Sequence, residues 1–70
     1  MGNALKSHRE RVGLSQGRLA ILTGFLTQGE VSDFERGRRW PWPKARRALA
    51  ECLGVPEEEL FEEVGLEDDR

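Results

Sequence analysis

Glycines divide this chain into helix-length pieces, and that punctuation limits the fold more than any other feature. Gly13, Gly24, Gly37 and Gly54 each close a segment whose apolar residues recur at helical spacing. Asn3 is placed to cap a helix from Ala4 to Val12, with Leu5 and Val12 on one face. Ser15 caps a second, Gln16 to Thr23, whose Leu19, Ala20, Leu22 and Thr23 form a stripe. Thr27 caps a third, Gln28 to Arg36, with Glu30 at capping-box spacing and Val31 and Phe34 on the inner face. The run Arg38-Arg39-Trp40-Pro41-Trp42-Pro43 cannot be helical before its last proline. Pro43 suits a first helical position, so a fourth helix runs from there to Leu53. Pro56 opens a fifth, with Glu57, Glu58 and Glu59 favouring its dipole and Leu60, Phe61 and Val64 giving an apolar side. No stretch alternates as a strand does. The expected fold is all-α, five short helices joined by tight turns.

Seventy residues are enough for one domain and one small core. We expect that domain over residues 1–64, with an acidic tail at 65–70. A single Cys and a single His exclude an intramolecular disulfide and a structural zinc site, so helix packing, alone or with a second subunit, must stabilise the chain. Cys52, beside Leu49 and Leu53, reads as an inert core thiol, and a lone thiol fits a reducing compartment. His8 reads as exposed surface. No apolar run approaches a membrane span and no signal core is present, so the expectation is a complete, soluble, cytoplasmic chain.

The formal charge of −2 argues against a nucleic-acid partner until it is divided along the chain. Residues 1–55 carry ten basic and five acidic side chains, net +5, whereas residues 56–70 carry eight acids and one Arg, net −7. Six of the cations, Arg36, Arg38, Arg39, Lys44, Arg46 and Arg47, fall within twelve residues. Charge runs are commonly solvated faces. This one directly follows the third helix, and Lys44 and Arg47 can reach the same side, which favours phosphate contacts.

Helices two and three carry the functional signal. Ala20 permits close approach, Gly24 turns the corner, and Val31 with Phe34 anchors the third helix, as a helix-turn-helix requires. At ~100° per residue, Gly29, Ser32, Asp33 and Arg36 then point away from the anchored side, and Gln28 sits at the exposed tip.

Those residues belong to an ordered set: Leu14-Ser15-Gln16, Leu19-Ala20, Gly24, Val31-Ser32, Glu35-Arg36-Gly37, Ala50, Leu53-Gly54-Val55 and Leu60-Phe61. Over residues 5–61 the chain resembles the lambda-repressor-like, XRE-type helix-turn-helix domains. The resemblance implies a five-helix domain whose third helix enters the DNA major groove, and dimers that read a two-fold-related operator. It further implies a phosphate contact at Gln16, base reading at Gln28, Gly29 and Asp33, and backbone contacts at Arg36 and the loop after it. A buried ion pair between Arg9 and Glu35 is implied as well. Three features depart from the family pattern. Gly24 to Val31 spans seven residues instead of the usual six, lengthening the turn near Phe25. Arg46 takes a position that is usually apolar, and Trp40-Pro41-Trp42-Pro43 is not typical.

Chemistry supports parts of this list. Gln28 can pair bidentately with adenine, and Ser32 lies on the same face. Asp33 can accept from cytosine N4, or only exclude other sequences, because phosphates repel a carboxylate. Glu30 reads as the cap of Thr27 and no more. Trp40 and Trp42 are core-covering aromatics or a dimer contact. No phosphate loop, nucleophile elbow or paired acid and base is present, so the chain is expected to be non-enzymatic, without metal or cofactor. The leading expectation is a sequence-specific DNA-binding transcriptional regulator acting on double-stranded DNA as a homodimer. The rival is an antitoxin-like or other protein-interaction module that binds a basic partner through its acidic end, with or without DNA binding.

Overall fold

Short polar side chains and proline set the helix starts. The Ser15 hydroxyl accepts from Arg18 N at 3.0 Å, opening α2 (Gln16–Thr23). At α3 (Gln28–Arg36) the Thr27 hydroxyl accepts from Glu30 N at 3.1 Å, while Glu30 Oε1 accepts from Thr27 N at 2.9 Å. Two otherwise unpaired amides are thereby satisfied, which stabilises a helix start by roughly 1 kcal/mol. Pro43 is the first residue of α4 (Pro43–Leu53), where its missing N–H costs nothing. The computed structural model describes residues 4–61. Asn3, Val64 and the tail at 65–70 lie outside the described residues.

The remaining two helices differ from the sequence expectation. α1 is Leu5–Arg11 and its N-cap is Ala4, which makes no side-chain cap bond. It stops before Val12, which turns outward and is exposed instead of sharing Leu5's buried face. α5 is only Glu57–Leu60, and Pro56 precedes it as the cap residue. Phe61 leaves the helix at φ −132°, ψ 91° and turns its ring against Trp40, centroids 5.5 Å apart in an edge-to-face pair. Burying both Leu60 and Phe61 ends the helix early.

α1, α3 and α4 terminate alike, through bonds Leu14 N to Arg9 O, Arg38 N to Asp33 O and Val55 N to Ala50 O of 2.9–3.1 Å. After α1 and α4 the residue so placed, Leu14 or Val55, tucks against the core, as is common for this terminator. After α3 it is Arg38, exposed. α2 ends differently. Gly24 shares the positive φ of the other terminating glycines, at 88°, but here the Thr23 hydroxyl takes over, donating to Ala20 O and accepting from Leu26 N.

α2 packs chiefly on α3 and on α4, α5 closes against α4, and α1 lies against α3. Leu5, Leu19, Val31, Phe34, Ala45, Leu49, Leu60 and Phe61 are completely buried between them. Each large one contributes about 1.5–3 kcal/mol by leaving water. Leu22, expected on the inner stripe, is exposed: Leu19 and Ala20 take the buried face of α2. Ala4 N donates to Leu60 O at 3.0 Å, tying the start of α1 to the end of α5. His8 is mostly covered, with Nε2 3.7 Å from Glu59 Oε2, and so is not the exposed surface group expected. Cys52 is partly buried against the core, and burial, then the Glu51 charge, pushes its thiol pKa up.

Candidate nucleic-acid interface

The placement of α3 rests on charge as well as on Val31 and Phe34. Arg9 from α1 donates through Nε to Glu35 Oε2, through Nη2 to Glu35 Oε1 at 3.2 Å, and through Nη1 to Leu14 O at 2.7 Å. Gln16 Nε2 donates to the same Glu35 Oε1 at 2.9 Å. The Arg9 and Glu35 side chains are 9% and 4% exposed, and the hydrogen bond donated to the Glu35 carboxylate holds the guanidinium pKa above its ordinary value. This node joins α1, the turn after it, the first residue of α2 and the last turn of α3. A bidentate Arg–carboxylate pair has little angular freedom, so α3 is oriented against two helices at once.

Gln16 thus has a structural partner in addition to the phosphate role implied by resemblance. One of its amide protons goes to Glu35, and its carbonyl oxygen and second proton are not engaged by that bond.

Along α3, Gln28 and Gly29 are exposed at the first two helical positions, and Ser32 and Asp33 are half-buried on the next turn. Gln28 lies over α2: its Oε1 is 3.6 Å from where a Cβ on Gly17 would stand. That is an ordinary van der Waals separation, so the Gln28 amide packs beside Gly17 without requiring a glycine there. Asp33 also has a backbone task, its carbonyl accepting from Arg38 N at 2.9 Å as α3 ends.

Arg36, Arg38, Arg39, Lys44 and Arg47 are all exposed. Arg46, counted in the same run, turns inward. Its Nη1 donates to Pro41 O at 3.0 Å and its Nε lies 3.5 Å from Glu57 Oε1, so its charge belongs to the α4–α5 contact. Arg39 and Lys44 do not trail away behind α3. Arg39 Nη1 is 3.6 Å from Glu30 Oε2, which brings the loop after α3 back to the first turn of that helix. Lys44 Nζ sits 4.7 Å above the Phe25 ring, in the turn before α3. Lys44 and Arg47 line an open groove with Thr23, Gly24, Phe25, Ala48 and Glu51. Among the described residues, Arg36, Arg38 and Arg47 make no ion pair.

Sequence reasoning did not find the Glu30–Arg39 contact or the packing of Phe25 and Trp42, whose centroids are 6.4 Å apart. The available signal was that the lengthened turn and the Trp-Pro-Trp-Pro run both depart from the pattern. The described residues contain no group of His, Cys, Asp and Glu able to hold a metal, and no helix long and apolar enough to cross a membrane.

A family model described as a helix-turn-helix domain matches residues 1–62. No curated protein matches the chain.

Proposed function

The chain belongs to the helix-turn-helix domain family, a membership that points to a DNA-binding regulator, and from it we propose a sequence-specific one. In this reading α3 enters the major groove by its N-terminal end, with Gln28, Gly29, Ser32 and Asp33 facing base edges. Gln16, Arg36, Arg38, Arg39, Lys44 and Arg47 engage phosphates, which position the domain without specifying sequence. The protein acts in the cytoplasm as a non-enzymatic homodimer on half-sites about one helical turn apart.

One observation carries the reading: Arg39 and Lys44 gather at the exposed end of α3, the same end that presents Gln28. A helix N-terminus itself favours an anion, and with these cations it matches a phosphate-flanked groove. Binding-site selection at two salt concentrations tests it. The expected result is a two-fold-related consensus bound with steep salt dependence. No sequence preference together with a flat salt response would overturn it.

A second reading, a protein-interaction module, is favoured by Ile21 and Leu22, which stand exposed side by side on the outer face of α2. Co-purification of a basic partner that is lost on changing both residues to Ser would support it.

A further inference from the structure

Two segments that depart from the family pattern, the lengthened turn and the Trp-Pro-Trp-Pro run, meet in space. Trp42 is fixed by its neighbours in sequence: Pro41 is buried and Pro43 begins α4. Its ring lies edge-on to the core residue Phe34, centroids 5.9 Å apart at 76°. Phe25 also packs against Trp42, centroids 6.4 Å apart and tilted at 50°. The two rings remain 37% and 38% exposed, and each has a cation over it. Arg39 Cζ is 5.9 Å from the Trp42 centroid, and Lys44 Nζ is 4.7 Å from that of Phe25.

We propose that Phe25 and Trp42 are positioning residues that hold Lys44 and Arg39 beside the first turn of α3, ordered in advance for the sugar-phosphate backbone of duplex DNA. The inference rests on the DNA-binding reading above and deepens it. Long cationic side chains lose much rotamer freedom when a phosphate fixes them. A carboxylate partner would order them too, but it would also neutralise the charge that the phosphate must meet. An aromatic face restricts the cation and leaves its full charge. It also leaves donors free, since a guanidinium over a ring keeps its in-plane N–H groups and an ammonium has three. Arg39 is the mixed case: Glu30 Oε2 stands 3.6 Å from its Nη1 and offsets part of its charge, whereas Lys44 makes no ion pair among the described residues.

The test is a double-mutant cycle, read as affinity for a labelled mixed-sequence duplex across a salt series. Phe25→Leu should weaken low-salt binding about two- to fivefold, the range of an exposed cation–π contact. Phe25→Tyr should bind like the parent. Lys44→Met should lower the salt slope by about one, and in that background Phe25→Leu should cost little more. Trp42→Leu with Arg39→Gln provides a second, independent cycle, and thermal unfolding of every variant separates lost binding from lost fold. Equal losses with and without the cation, or no loss in either cycle, would overturn the inference while leaving DNA binding intact. A parent protein that shows no salt-dependent binding to duplex overturns both.

Discussion

α3 is bordered by two sets of basic side chains whose contacts differ in almost every respect. Behind it, Arg9 is buried, bidentate to Glu35 and neutralised. In front of it, Arg39 and Lys44 are exposed and rest on aromatic rings. A guanidinium enclosed with a carboxylate fixes geometry and presents no field to a ligand. A cation on a ring keeps its charge. The partner, more than the residue type, decides whether a basic side chain serves the architecture or a phosphate.

The buried node should be the more fragile of the two. Glu35→Ala leaves the Arg9 charge enclosed, a loss of about 3 kcal/mol, at the low end for a broken buried pair because the bond to Leu14 O survives. Urea unfolding should show this as a lower midpoint, and in a domain of this size the melting temperature should fall by more than ~10 °C. Replacing both partners, Arg9→Met with Glu35→Leu, should recover most of that loss, since two apolar groups leave no charge stranded. A double variant as unstable as the single would mean the node does more than pair charges.

Arg46 tests the boundary between the two sets. It comes from the basic run yet points inward to Pro41 O and Glu57. Arg46→Met should cost about 1–2 kcal/mol, for a half-buried carbonyl losing a charged donor, and should leave the salt slope of DNA binding unchanged. Arg36→Gln should do the reverse. Its stability should stay within ~0.5 kcal/mol of the parent, as for surface positions generally, while the salt slope drops by about one. If both variants changed the slope equally, the division into inward and outward cations would fail.

What could be read beforehand follows the same division. The limits of α2, α3 and α4 were legible because Ser15, Thr27 and Pro43 are local signals, and a glycine with positive φ follows each helix. Val12 and Leu22 were misassigned because a short helix offers few points to fix its phase, and a small rotation exposes an edge residue. α5 is shorter than its pattern suggests: Phe61 leaves helical φ and ψ and sets its ring edge-to-face with Trp40, a contact distant in sequence. The Arg9–Glu35 pairing came from resemblance, while the bond of Gln16 to the same carboxylate did not. The aromatic supports of Arg39 and Lys44 join residue 25 to residue 42, a contact that no local pattern encodes.

The smallest effect concerns charge that neither set contains. Residues 65–70 hold three acids and one Arg, lying beyond a body that is net +5 through residue 55. Like-signed repulsion between these carboxylates and phosphates acts over the Debye length, about 30 Å at 0.01 M salt and 10 Å at 0.1 M. Ending the chain at residue 64 should therefore tighten binding to mixed-sequence duplex at low salt, and the difference should vanish at physiological ionic strength. It should leave the relative loss from Phe25→Leu unchanged, because that loss arises from a contact within the described body. A truncation that abolished the Phe25 effect would instead mean that the acidic end competes with DNA for Arg39 and Lys44, and the two rings would then hold those cations for the chain's own carboxylates.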